Sequence, residues 1–271
     1  MLGSLQSHAR SFICAKRRSV AVKVLHRVTS FVEAAYSNVG ASFEANGERS
    51  LLQNLRPAEF RVVLDVGANF GDWSAEALAV WPNCHIHAFE VAPRTFERLS
   101  ARFRELDTKA RGSLNCVGLS DESGAYEMLY YPDHPELTCD TPRHAAYTAI
   151  PFEAQLVRGD DYCDENKIAE IDFLKIDVEG AESRVLKGFS RRLAAQKIHC
   201  LQFEYGAFSI RTRVLLADYY ILLAKTYWIG KIYPNYVEFR DYDWTMEDFC
   251  FSNYCCVSRL RHDLRDMLAG R

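Results

Sequence analysis

From about residue 61 onward, short apolar runs alternate with segments of helical periodicity. "RVVLDVG" (61–67) reads as a strand, and "DWSAEALAVW" (72–81) as a helix closed by Pro82. "CHIHAFE" (84–90) predicts a second strand, and "PRTFERLSARFREL" (93–106) a second helix with Pro93 in its first turn. "LNCVGLS" (114–120) predicts a third strand. "IDFLKID" (171–177) is a fourth, followed by the helical "AESRVLKGF", and "KIHCLQFEY" (197–205) is a fifth, followed by a helix around "TRVLLADYYILLAKTY". Strand, helix, strand at this spacing implies parallel pairing with right-handed crossovers, hence an α/β fold with a doubly wound, mostly parallel sheet. Two regions break the alternation. Residues 124–158 predict two extended arms around a loop. The tail, with "YWIGKIYPNYVEFR" and "SNYCCVSR", predicts an antiparallel hairpin added at the end of the sheet.

The first 32 residues follow a different pattern. They carry Arg10, Lys16, Arg17, Arg18, Lys23 and Arg27 with no acid before Glu33. Lys16-Arg17-Arg18 interrupts the only apolar stretch a secretory signal would use, whereas an organellar transit peptide is compatible with the composition. Val24, Leu25, Val28, Phe31, Val32 and Ala35 recur at helical spacing, predicting a basic amphipathic helix. Its simplest form is a helix packed on the domain with a solvated basic face. A peripheral membrane or protein contact through residues 10–35 is the alternative. The expected partition is a helical extension over 1–42 and one domain over 43–271. No apolar run approaches the roughly 20 residues of a membrane-spanning helix.

Composition changes this picture little. With 271 residues, 48% of them hydrophobic, the chain can bury a large core, and a formal net charge of −3 gives no reason to expect nucleic-acid binding through overall charge. The nine cysteines contain no CxxC and no metal-ligand spacing. An odd number without a secretory signal points to reduced thiols in a cytoplasmic setting, with Cys255-Cys256 as strand filler.

Candidate chemistry starts at "LDVGANFGDW" (64–73). In a sheet of this kind ligands bind beyond the carboxyl ends of the strands, where a glycine turn lets backbone approach a ligand and the next helix offers free N–H groups. Gly67 and Gly71 flank Asn69, which tolerates a left-handed backbone, with Ala68 between. A nicotinamide fingerprint would place a third glycine where Asp72 stands. The strand-end acid Asp65 suits a cationic ligand better than a diphosphate. S-adenosylmethionine fits, being a sulfonium nucleoside without phosphate. Glu90, 25 residues after Asp65, can accept both ribose hydroxyls, although a helix-capping acid is the plainer reading. Leu119, Ser120 and Asp121 end the third strand, where adenine would lie, and Ser-Asp is also ordinary turn chemistry.

These stretches, with "HAFEVAPRTFERL", "NCVGLSDESG", "IDFLKIDVEGAESRVLKGF" and "EDFCFSNYCCV", resemble the FkbM-type S-adenosylmethionine-dependent methyltransferases over roughly residues 43–257, "LKIDVEGAE" being the most specific element. The resemblance implies a class I, Rossmann-like methyltransferase fold and O-methyl transfer to a hydroxyl of a sugar or polyketide-like small molecule. "VRGDDYCDE" departs from it where a Thr-Leu-Asp-type sequence is expected, and the basic first 30 residues lie outside it.

Methyl transfer needs an aligned acceptor oxygen and a place for its proton. Strand alternation sets Phe173, Lys175 and Asp177 on one face and Leu174, Ile176 and Val178 on the other. Asp177 at the strand end and Glu179 in the next turn can act as base and orienting acid, or hold a divalent metal, or simply fix the loop. Glu204 ends the fifth strand as a further catalytic acid, while Glu182 favours a helix dipole. Lys175 in a buried strand requires a carboxylate partner or a cavity. His199 reads as structural. His134 and His144, in the insertion with Tyr130, Tyr131 and Tyr147, are weaker candidate bases. A nicotinamide-dependent oxidoreductase and a non-catalytic cofactor-binding protein are the competing functions. With no Asn-Pro-Pro-Tyr, exocyclic amines of nucleic-acid bases are not expected acceptors.

Overall fold

The computed structural model describes residues 2–40, 42–43, 45–106, 111–142 and 147–270. The chain divides into two units, residues 1–40 and 41–271. The first contains α1 (Leu2–Ala15) and α2 (Val20–Tyr36), the latter capped by Ser19, whose hydroxyl accepts the Val22 N–H. Val24, Leu25, Val28, Phe31 and Val32 are each at least half exposed, and Val22 alone is buried on α2. Among the described residues no helix is long and apolar enough to cross a membrane.

The second unit begins with α3 (Glu48–Asn54) and then alternates as the pattern predicts. β1 (Val62–Val66), α4 (Asp72–Val80), β2 (His85–Phe89) and α5 (Pro93–Glu105) lead to β3 (Gly112–Asn115). β4 (Gly118–Ser120), β5 (Gly124–Tyr130) and β6 (Ile150–Arg158) follow, then α6 (Gly159–Glu165), β7 (Ile171–Ile176), α7 (Glu182–Gly188) and α8 (Ser190–Ala194). The chain ends through β8 (Ile198–Tyr205), α9 (Ser209–Thr212), α10 (Leu216–Leu223), β9 (Tyr227–Ile232), β10 (Val237–Phe239), β11 (Ser252–Ser258) and α11 (His262–Leu268). The main sheet has the order β10-β9-β11-β8-β7-β1-β2-β3, with β3, β2, β1, β7 and β8 parallel. Strand order reverses between β1 and β7, which places a crevice over the carboxyl ends of those strands.

Alternation along the central strands separates two cores. Phe173 of β7 packs with Val63, Trp73 and Trp81 on one face, while Leu174 and Ile176 pack with Leu64, Phe203 and Tyr219 on the other. Cys255 and Cys256 divide between the same two cores, so the vicinal pair fills the strand as expected, and the nine cysteines are free thiols.

Two expectations need correction. "LNCVGLS" is not one strand. β3 extends the main sheet, the chain bends at Cys116-Val117, and β4 joins a second sheet of order β4-β6-β5. The arms predicted over 124–158 are β5 and β6 of that small sheet. In the tail, β9 and β10 do form the edge hairpin, but "SNYCCVS" inserts between β8 and β9, antiparallel to both. All seven residues of β11 are buried, and a strand with no exposed face belongs in the interior of a sheet rather than at its edge.

Candidate functional site

The turn after β1 is laid flat across three strand ends. Gly67 has φ +80°, Asn69 φ +46° and Gly71 φ +85°, the last capping α4. A methyl group on Gly67 would overlap the carbonyl of Asp177, whose own N–H bonds Val66 O at 3.0 Å. Gly67 and Ala68 donate their N–H groups to Phe89 O at 3.0 and 2.9 Å. Asn69 completes the tie by donating its N–H to Glu90 Oε2 at 3.0 Å. The backbone thus forms a shelf, and the residues that permit it are those without a side chain or, in Asn69, with a left-handed conformation.

Beyond the shelf opens a cleft of about 930 Å³, counting the open solvent at its mouth. Gly67, Asn69, Glu90, Leu119 and Ser120 line it, and so do Asp177 and Glu179. Glu90 is 7% exposed, and its Oε1 accepts the Ala92 N–H at 2.8 Å ahead of α5. Both oxygens are therefore anchored by backbone, as the capping reading has it, while the residue still borders the cleft. Burial pushes its carboxyl up to about 7, against the two backbone hydrogen bonds that favour the charge. Beside it, Val91, Leu119 and Leu156 make an apolar slot over Gly118, where a methyl group would press on Leu156.

Not every expected residue reaches the cleft. Asp65 is fully buried beneath the shelf, accepting Ser74 Oγ at 2.6 Å and pairing with Lys175 Nζ at 3.4 Å. The expectation that it grips a cationic ligand is thereby corrected: its charge is spent on a buried lysine. Ala68 and Gly71 shape the turn without lining the cleft. Asp121 turns outward to Arg184 Nε at 3.2 Å and accepts Ser120 Oγ at 3.0 Å. Burial would raise its carboxyl, but these bonds hold it below its usual value.

The fourth and fifth strand ends bring acids together. Asp177 and Glu179 partly face solvent, and Glu204 behind them is 3% exposed. One ligand atom from each lies within 4.8 Å of the others. Glu179 holds φ +60°, and Gly180 follows at +112°. That strained turn is fixed by Glu182, buried at the start of α7, whose Oε1 accepts the N–H groups of Val178 and Gly180 at 3.1 Å. Glu182 therefore organises the loop rather than merely favouring a dipole. Its signal in the sequence was the third acid of "DVEGAE".

Lys175 is 4% exposed and has the partners its position demands, with Nζ 3.2 Å from Asp177, 3.4 Å from Asp65 and 3.4 Å from Gly67 O. Burial would lower its pKa, yet the carboxylates of Asp177, Asp65 and Glu48 outweigh it and raise the ammonium above its usual value. Glu204 is pushed up by burial and then by the neighbouring charges of Asp177, Glu182 and Glu48.

The weaker candidates separate. His134 bonds Glu136 at 3.2 Å and packs on Tyr147, with no place in the cleft lining, and His144 lies outside the described residues. His199 is structural, held by Asp172, Glu170 and Arg261. Glu136, Thr138 and Asp140 nevertheless make the insertion one wall of the cleft. Arg184, not singled out from sequence, joins that wall to the rest. It reaches Asp121 and Asp140 and lies over the Tyr126 ring at 5.1 Å. "VRGDDYCDE" is likewise accounted for: Asp160 is buried and accepts the backbone N–H groups of Arg191 and Arg192, while the bare Cα of Gly159 admits the Phe189 ring.

The chain is similar in sequence to known proteins of one family. The model of the methyltransferase FkbM domain matches residues 65–223, more than half of the chain. The 31-O-demethyl-FK506 methyltransferase FkbM of Streptomyces tacrolimicus is 36% identical over 161 residues, covering 49% of this chain and 60% of that protein. The hexuronic acid methyltransferase AglP of Haloferax volcanii is 26% identical over 167 residues, covering 60% and 65%. A solved methyltransferase FkbM from Methylobacillus flagellatus superposes with a TM-score of 0.47 at 17% identity, over 73% of this chain and 44% of that one. The chain spans less than two thirds of the length of these curated relatives. With its class I doubly wound sheet and the domain match running from Asp65 through the acidic turn after β7, the chain belongs to the FkbM methyltransferase domain family.

Proposed function

We propose that this protein transfers a methyl group from S-adenosylmethionine to a hydroxyl oxygen of a small molecule or glycan. The observation that carries the reading is a single cleft with two chemically distinct ends. One end has a backbone shelf, an anchored carboxylate and an apolar slot, and the other has Asp177 and Glu179 after β7, with the buried Glu204 of β8 behind them. The first end suits a nucleoside. Glu90 keeps free lone pairs toward the cleft for ribose hydroxyls, and Val91, Leu119 and Leu156 offer a flat apolar face to adenine. Ser120 adds a polar edge there. When bound, S-adenosylmethionine supplies a methyl group on a sulfonium whose C–S bond breaks with the electron pair left on sulfur.

The chain's own residues do the rest. The shelf and the insertion wall hold donor and acceptor in one geometry, an effect worth up to about 7–11 kcal/mol of barrier. Asp177, paired with Lys175 and lining the cleft, takes the acceptor's proton, and Glu179 beside it orients the hydroxyl, with the buried Glu204 behind both. Relatives named for O-demethyl-FK506 and hexuronic acid acceptors support the class of substrate.

Calorimetry with S-adenosylhomocysteine and with NAD, followed by tritiated-methyl transfer to polyketide alcohols and uronic-acid sugars, tests the proposal. Binding of S-adenosylhomocysteine but not NAD is expected. An Asp177→Asn variant should lose about 10²–10⁴-fold in kcat while keeping nucleoside affinity. Unchanged turnover in that variant removes Asp177 from the chemistry, and preference for NAD overturns the reading altogether.

A further inference from the structure

Behind the acidic end of the cleft two buried carboxylate oxygens, Glu182 Oε2 and Glu204 Oε2, have no hydrogen-bond partner among the described residues, and Glu204 is the one grouped with further acids. Glu204 is 3% exposed. An unpartnered buried carboxylate oxygen is costly, and it is retained where a further group satisfies it. Asp177 and Glu179 reach into the same corner and border the cleft, with one ligand atom from each acid inside 4.8 Å. We propose that Asp177, Glu179 and Glu204 bind one hard divalent cation of the magnesium or manganese class. The proposal deepens the methyl-transfer reading, and only its catalytic consequence rests on that reading.

Charge points the same way. Among the described residues Lys175 is the buried cation of this corner, and it is already shared between Asp65 and Asp177. Glu182 adds another buried acid whose Oε1 is committed to the backbone of the turn, and Glu48 a further one held by Asn46 and Gln202. Among the described residues the buried carboxylates Asp65, Glu48, Glu182 and Glu204 outnumber that cation, and a divalent ion would offset their charge where Glu204 Oε2 has no hydrogen-bond partner.

The donor set is all oxygen, which selects hard ions over zinc or copper. Bonds of about 2.1 Å set oxygens about 3 Å apart when adjacent in an octahedron and about 4.2 Å apart when opposite. The observed spread exceeds this by a margin that side-chain rotation of Asp177 and Glu179 would close, since both are partly exposed. Glu204 is fixed in β8 and sets the floor. Three protein ligands leave positions turned to the cleft, where an acceptor hydroxyl brought against the ion would lose its proton more readily, to Asp177 or to solvent.

The test uses the full chain and Mn²⁺ alone, without nucleoside, following the free-ion electron paramagnetic resonance signal at pH 8. One equivalent should bind and be displaced by Mg²⁺. Glu204→Gln should weaken it by about tenfold or more, and so should Asp177→Asn, which alters a partly exposed side chain and guards against misfolding of the first variant. S-adenosylhomocysteine affinity, measured in chelator, reports folding and the nucleoside site independently. No stoichiometric Mn²⁺ binding, or binding unaltered in both variants, overturns the cation site while leaving the nucleoside reading intact. Mn²⁺ binding without S-adenosylhomocysteine binding would support the cation site and sink the methyltransferase reading.

Discussion

The carboxyl of Glu90 gives a quantitative test of the nucleoside site. Burial raises it to about 7, so it titrates in the physiological range, and each of its oxygens already accepts one backbone N–H. Ribose hydroxyls donate best to the ionised form, so binding selects the deprotonated protein, and affinity should rise with pH through 7. If only that form binds, the apparent dissociation constant scales as 1 + 10^(pKa−pH), making S-adenosylhomocysteine about tenfold weaker at pH 6 than at pH 8. At pH 7 about half a proton should leave per molecule bound, visible as a buffer-dependent heat in calorimetry. Glu90→Gln should flatten the profile and bind more weakly at pH 8, since an amide offers one acceptor oxygen where the carboxylate offers two. A flat profile in the wild type, or an equal slope in the Gln variant, would refute the reasoning.

Other outcomes follow from the buried charges and the tight turn. Lys175→Met leaves Asp65 facing only Ser74 and should cost about 3–5 kcal/mol, or about 6–20 °C in melting temperature. Adding Asp65→Asn should recover part of that loss, and a double variant no more stable than the single one would show that the pair is not coupled. Because Asp65 is fully buried away from the cleft, Asp65→Asn alone should lower the melting temperature more than it weakens S-adenosylhomocysteine binding, as paired thermal melts and calorimetry would reveal. Gly67→Ala forces a positive φ on a residue with a side chain and drives it into the Asp177 carbonyl. It should cost at least about 1–3 kcal/mol and weaken the nucleoside, and a variant of normal melting temperature and affinity would contradict the close approach of the two loops.

Much of this protein could be read along the chain. Periodicity placed the central strands and helices, because a strand buried on both faces and a helix packed on a sheet leave local patterns that depend on the neighbours only in general terms. The turn 67–71 and the acids at residues 90, 177, 179 and 204 could be found because strand-end position follows from the same patterns. What could not be read was direction and pairing. Asp65 and Glu90 both stand near strand ends, yet one pairs with Lys175 and the other borders the cleft, a difference set by the register that puts Asp65 of β1 beside Lys175 of β7 and leaves Glu90 just past the end of β2. The bend at Cys116-Val117, the insertion of β11 between β8 and β9, and the reach of Arg184 to Asp121 and Asp140 join residues distant in sequence. The sequence by itself determined the kind of sheet and which residues stand at its rim. Tertiary structure alone decided which of those charges are neutralised in the interior and which remain available to a ligand, because burial and ion pairing depend on distances that no local pattern encodes.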